Sequence, residues 1–135
     1  MAGPIQQRLL PDTAAIDTDG QATVGGCRLT DLADQFGTPL FVYDEEHLRA
    51  RCREAVAAFG PGVSYASKAF LCGAMARLVV EEGMHIDVST GGELYMARHA
   101  GVPGEKLVMH GNNKSELELR MAIDEGVRRI VVDSF

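Results

Sequence analysis

A chain of 135 residues with 46% hydrophobic residues and five prolines is long enough to bury a core and too apolar to stay disordered. Its formal charge of −6, with lysines and arginines scattered rather than massed, argues against a surface that tracks a phosphate backbone, so nucleic acid is not an expected partner. Neither a basic head with an apolar run behind Met1 to Gln7 nor eighteen successive apolar residues occurs, and no export signal or membrane span is expected.

Residues 1 to about 26 carry the turn formers Pro4, Pro11, Asp17, Asp19, Gly20, Gly25 and Gly26, and are expected to form an arm with little regular structure, an edge piece of a second structural unit. Thr30 is placed to cap a short helix over Asp31 to Phe36 that Gly37 ends, and Pro39 opens an extended segment, Leu40 to Tyr43. Asp44 is placed to cap the next helix, in which Leu48, Cys52, Ala55 and Phe59 recur at helical spacing and Glu45 lies four residues before Arg49. Gly60-Pro61-Gly62 stops it.

Strand-like segments then begin near Val63, His85, Lys106 and Arg129, at steps of 22, 21 and 23 residues. One-faced helices fill the intervals. The first presents Leu71, Met75, Leu78 and Val79 and ends at Gly83; the second presents Leu94, Ala97 and Ala100 and closes at Gly101-Val102-Pro103. The third opens on Ser115-Glu116-Leu117-Glu118, with capping-box spacing, and presents Leu119, Ala122, Ile123 and Val127.

Short strands alternating with such helices imply consecutive βα units, parallel strands and right-handed crossovers. The near-constant period, and the lack of a Gly-x-Gly-x-x-Gly turn after the first strand, favour a barrel over a dinucleotide-binding layer. The expected fold is α/β, the N-terminal part of a (β/α)8 TIM barrel with about four parallel strands. Residues 1–38 read as an N-terminal arm and short helix belonging to a second β domain, and residues 39–135 as the first half of the barrel. A complete barrel takes about 250 residues, so the chain reads as cut off after its fourth barrel strand.

Working groups in such barrels gather where strands end. Lys68 follows the first strand, and although a single lysine is ordinarily a solvated surface residue, an amine between strand and helix points to a Schiff base with an aldehyde cofactor. Asp87, inside Ile86-Asp87-Val88, would carry an unpaired charge unless a cation or a cofactor meets it, and Lys68 is one candidate for that cation. His110 ends the third strand, where a structural hydrogen bond is as good a reading as catalysis. Asp133 ends the fourth. Glu93 falls in the first turn of a helix, where the dipole alone accounts for a carboxylate. Asn112 and Asn113 suit a turn, and Lys114 reads as solvated. Cys27, Cys52 and Cys72 lack metal or disulfide spacing and read as free thiols in a reducing cytosol, Cys52 and Cys72 chiefly as packing.

In order along the chain stand Phe36-Gly37-Thr38-Pro39-Leu40-Phe41-Val42-Tyr43-Asp44, Tyr65-Ala66-Ser67-Lys68-Ala69, Asp87-Val88-Ser89-Thr90-Gly91-Gly92-Glu93-Leu94, His110-Gly111-Asn112-Asn113-Lys114-Ser115 and Val131-Val132-Asp133-Ser134. Together, at barrel spacing and from about Leu29 onward, they resemble the pyridoxal-phosphate-dependent decarboxylases of the alanine-racemase-like barrel fold, the ornithine, arginine and diaminopimelate enzymes, and the diaminopimelate branch most closely. The resemblance implies that Lys68 carries pyridoxal 5'-phosphate as a Schiff base and assists proton transfer, that Asp87 and Glu93 line the cofactor pocket, and that His110 lies near it. The implied reaction is loss of carbon dioxide from meso-2,6-diaminopimelate to give L-lysine, the last step of lysine biosynthesis, in the cytoplasm.

The family pattern continues through four more barrel units, with a glycine-rich phosphate loop and an acid facing the ring nitrogen. A β domain follows, whose cysteine and tyrosine reach the active site across a homodimer interface. Half a barrel, with an unpaired strand edge, is expected to be inactive by itself. Sequence beyond Phe135 separates the diaminopimelate reading from an ornithine- or arginine-type relative. Two non-catalytic alternatives remain: a cofactor carrier on a bare barrel, which the residues ahead of the first barrel strand disfavour, and a regulatory homologue, which Lys68 disfavours.

Overall fold

The computed structural model describes residues 6–133, so Pro4 of the arm and Ser134 of the last motif lie outside it. The chain forms two compact units, Met1–Arg51 and Cys52–Phe135.

In the first unit, a 3-10 turn (Gln7–Leu9) precedes three short antiparallel strands, β1 (Ala15–Ile16), β2 (Ala22–Val24) and β3 (Cys27–Arg28), in the order β1-β2-β3. This corrects the expectation of little regular structure. The turn formers that erase periodicity here are the hairpin connections themselves: Gly25 and Gly26, at φ 58° and 77°, supply the two positive-φ residues a tight two-residue turn requires. In the β1–β2 turn, Asp17 Oδ1 accepts the Gln21 and Asp19 amides, both at 2.9 Å, and Oδ2 lies 2.6 Å from Arg28 Nε. The Gln21 amide foremost, then Asp19 and Arg28, hold the Asp17 carboxyl below its usual range against the opposing effect of burial.

Helix α1 (Leu29–Phe36) starts earlier than expected: Arg28 is its N-cap without a side-chain cap bond, and Thr30 lies inside the helix. Gly37 ends it, at φ 81°. Leu40 to Tyr43 has no strand pairing and is exposed. Helix α2 (Glu45–Phe59) begins as expected behind Asp44, whose Oδ1 accepts the His47 amide at 3.2 Å. The Thr13 hydroxyl donates to Asp44 Oδ2 at 2.5 Å and accepts the Gly25 amide at 2.8 Å, fastening the hairpins to the helix start. Of the expected α2 stripe, Cys52 is buried, but Phe59 is 79% exposed.

The second unit is a four-stranded parallel sheet in sequential order, β4 (Ser64–Ala66), β5 (His85–Val88), β6 (Leu107–Met109) and β7 (Arg129–Ile130). It alternates with α3 (Gly73–Glu81), α4 (Gly91–His99) and α5 (Glu116–Asp124). This is the N-terminal part of the expected α/β barrel. Side chains alternate across a strand. Ile86, Val88, Leu107 and Met109 are fully buried, with Val79, Leu94 and Ala97 of α3 and α4 buried as well. Removing each larger apolar side chain from water contributes about 1.5–3 kcal/mol. The register aligns Ala66, Asp87 and Val108 on the other face of the sheet. Asp87 therefore shares its face with an alanine and a valine, at the ends of their strands.

Candidate active site

Lys68 sits in a single 3-10 turn, Ser67–Ala69, directly after β4. The Tyr65 hydroxyl donates to the Phe70 carbonyl at 2.8 Å and braces that turn. Lys68 is exposed, and no hydrogen bond or ion pair engages its amine among the described residues. Its neighbour Ser67 is the opposite case: it is 2% exposed, and its Oγ is buried without a hydrogen-bond partner among the described residues.

Asp87 is the last but one residue of β5. Its Oδ1 is also buried and, among the described residues, unpartnered, while Oδ2 faces His110 Nδ1 at 3.4 Å. Lys68 was one candidate partner for Asp87; among the described residues its amine makes no hydrogen bond or ion pair with Asp87, and the side chain facing Oδ2 is that of His110. The reason lies in the parallel ladder: the His110 amide donates to the Val88 carbonyl at 2.8 Å, and the Val131 amide to Met109 at 2.8 Å, so the strand ends are drawn level. Asp133 then brings Oδ2 to 4.0 Å from His110 Nε2. The strand-end residues Asp87, His110 and Asp133 thus form one row, whose proton positions depend on the histidine tautomer.

Glu93 occupies a structural position at the start of α4. The Thr90 hydroxyl accepts the Glu93 amide at 3.2 Å, and Glu93 Oε2 accepts the Thr90 and Ser89 amides at 3.1 and 2.6 Å, a complete capping box on α4. The second box, Ser115 with Glu118, caps α5 where the sequence pattern predicts it. Glu118 reaches further than the pattern shows: its Oε1 accepts the Gly91 amide at 2.8 Å, 27 residues away. Lys114 is half-buried and donates to the Gly111 carbonyl, rather than standing free in solvent.

Two features escape sequence reasoning. Nothing local marks Ser67 as buried, since burial depends on the neighbouring strand. The box Ser115-x-x-Glu118 is readable, but its tie to Gly91 is a tertiary contact with no periodic trace.

A family model described as "pyridoxal-dependent decarboxylase, pyridoxal binding domain" matches residues 45–135. The chain is 53% identical over 126 residues to diaminopimelate decarboxylase of Mycobacterium bovis, covering 92% of this chain and 28% of that protein. It is 45% identical over 131 residues to the Bacillus subtilis diaminopimelate decarboxylase, covering 93% and 30%. Among solved structures, diaminopimelate decarboxylase from M. jannaschii in complex with L-lysine superposes with a TM-score of 0.85 at 36% identity, over 92% of this chain and 30% of that one. Lysine/ornithine decarboxylase from Vibrio vulnificus, complexed with putrescine, gives 0.73 at 27% identity over 79% and 30%. The chain therefore spans under a third of the length of these relatives. Through the match over residues 45–135, it belongs to the pyridoxal-dependent decarboxylases as part of their pyridoxal-binding domain.

Proposed function

We propose that Lys68 holds pyridoxal 5'-phosphate at the open ends of the parallel strands, in an enzyme that converts meso-2,6-diaminopimelate to L-lysine and carbon dioxide. The supporting observation is the company Lys68 keeps: among the described residues it is an exposed amine free of polar partners, next in sequence to the buried Ser67 Oγ and one strand from the buried Asp87 Oδ1, neither of which has a hydrogen-bond partner there. A buried polar atom without a partner costs free energy, and a polar ligand relieves that cost. These residues fit the cofactor.

When bound, pyridoxal phosphate supplies the electron sink for the pair left behind as carbon dioxide departs. Lys68 Nζ binds the cofactor and then carries a proton to or from the substrate. Asp87 Oδ1 offers an acceptor at the pocket wall. His110 presents Nδ1 to Asp87 and Nε2 to Asp133, so a proton on either nitrogen meets a carboxylate. Glu93 lines the pocket from α4 and orients the Ser89 and Thr90 amides.

The diaminopimelate substrate rests on the similarity to enzymes of that name, and on a relative whose structure holds L-lysine. Residues 1–38 fit a β domain completed by other parts of a longer polypeptide, and residues 39–135 fit the opening half of the barrel. The active form is a homodimer in the cytoplasm; among the described residues no helix is long and apolar enough to cross a membrane.

The test is spectroscopic and chemical, on a full-length polypeptide carrying this segment. Added pyridoxal phosphate should give a visible absorption band that Lys68→Ala abolishes, and the loaded protein should form lysine from diaminopimelate rather than putrescine from ornithine. A band that survives Lys68→Ala assigns another amine. The 135-residue chain alone should form no lysine.

A further inference from the structure

We infer that Glu118 is a positioning residue for the cofactor site, acting through the loop that follows β5. This rests on the cofactor reading above.

A helix leaves its first N–H groups without intrahelical acceptors. In α4, Thr90 serves the Glu93 amide and Glu93 serves Thr90 and Ser89, which leaves the Gly91 amide outside the local cap. Glu118 takes it, at 2.8 Å, from the next βα unit. Its other oxygen, Oε2, accepts the Ser115 amide at 2.9 Å and the Ser115 hydroxyl at 2.8 Å. One carboxylate therefore lies at the N-termini of two neighbouring helices, where both dipoles favour negative charge. The Ser115 amide foremost, then Gly91, hold its carboxyl below the usual range.

The backbone around this bond is shaped for it. A Cβ on Gly91 would meet Glu118 Cγ at 3.2 Å, so a side chain there would push the carboxylate off its amide. Close by, a Cβ on Gly111 would lie 2.9 Å from the Ser89 carbonyl oxygen. The loops behind Asp87 and His110 thus interlock at two points, one of backbone against backbone and one through Glu118. The two loops lie directly behind the residues that meet across the strand ends, Asp87 in β5 and His110 after β6. Glu118 touches neither. It holds the Ser89–Gly92 turn against the Gly111–Ser115 turn, and thereby keeps the pocket wall in one arrangement before any ligand arrives.

The experiment uses a full-length polypeptide carrying this segment and reads two quantities, the affinity for pyridoxal phosphate by titrating its visible band and the melting temperature without cofactor. Glu118→Asp, too short to serve Ser115 and Gly91 together, should weaken affinity about tenfold, the scale of one charge-assisted hydrogen bond. Gly91→Ala should weaken it about threefold, although alanine is the better helix former. The double variant should be no weaker than Glu118→Asp, because both changes break the same contact. Glu116→Ala takes a carboxylate from the same first turn of α5, along with its exposed pair to Arg120, and reaches no other loop. It should lower the melting temperature and leave affinity unchanged.

Equal affinity loss in Glu116→Ala and Glu118→Asp, or full additivity of Gly91→Ala with Glu118→Asp, would overturn the inference while leaving the cofactor reading intact. Absence of a visible band in the parent protein would remove both.

Discussion

Asp87 and His110 meet across neighbouring strands, Oδ2 to Nδ1, at 3.4 Å. The pairing follows from register: Asp87 aligns with Val108 in β6, and His110 comes two residues later, where its amide still donates to Val88. Asp87 is 27% exposed and His110 47%, so the pair looks out of the sheet while Asp87 Oδ1 stays shut off from water.

His110→Ala removes the polar side-chain partner of Asp87 among the described residues. Affinity for pyridoxal phosphate should fall about tenfold, as for other hydrogen bonds to charged groups. Asp87→Asn should do the same, and the two together little more. Absorbance titration of the three variants decides it; affinities within twofold of the parent would mean that the pair is incidental.

Glu93 should reveal its capping role in the cofactor-free protein. Glu93→Ala strips acceptors from the Ser89 and Thr90 amides and should cost about 1 kcal/mol in the cofactor-free protein, as should Thr90→Ala. Urea unfolding without cofactor tests this. An unchanged midpoint for Glu93→Ala would refute the capping role.

The three βα units and the fourth strand were legible because each helix shows one apolar face and each strand starts after a glycine or a short turn. Gly83, Gly101 and Gly126 all have positive φ, which marks the helix ends clearly. The N-terminal hairpins were not legible: strands of two or three residues carry no period, and their turn residues read equally well as coil. Phe59 kept helical spacing but is exposed, because spacing says which residues share a face and not whether anything covers it. At the candidate site, the row of strand-end residues followed from the fold. Which of them touch did not: Lys68 was only a candidate partner for Asp87, and the side chain that reaches it across the ladder is that of His110.

Gly104 has no room for a side chain. A Cβ there would lie 1.9 Å from the Glu125 carbonyl oxygen and 2.7 Å from two Gly126 backbone atoms, none of which can swing aside. The approach is held by the Arg128 amide, which donates to the Gly104 carbonyl at 3.1 Å. Gly104→Ala should destabilise by at least about 3 kcal/mol, at the upper end of overpacking effects. Gly92→Ala is the contrast, since its Cβ would meet only Thr90 Oγ1, at 3.9 Å, and should be neutral or mildly stabilising. Unfolding midpoints that rank the two variants the other way would refute the packing argument.

His85 gives the second unit a stability that depends on pH. It begins β5 beside Ser64 and is 5% exposed. Burial foremost, then the charges of Lys106, Arg128 and Arg129, push its imidazole below the ordinary value of 6.5. The unfolded chain therefore binds a proton that the folded chain refuses, and stability rises with pH wherever the unfolded state holds more protons. The contribution should be full above the unfolded-state value of 6.5, fade as pH drops through it, and level off once the folded-state value is passed. His85→Gln keeps a polar side chain without the titration, so its unfolding midpoint should change less between pH 8 and pH 5 than the parent's. Equal slopes in both proteins would mean that other groups govern the acid limb.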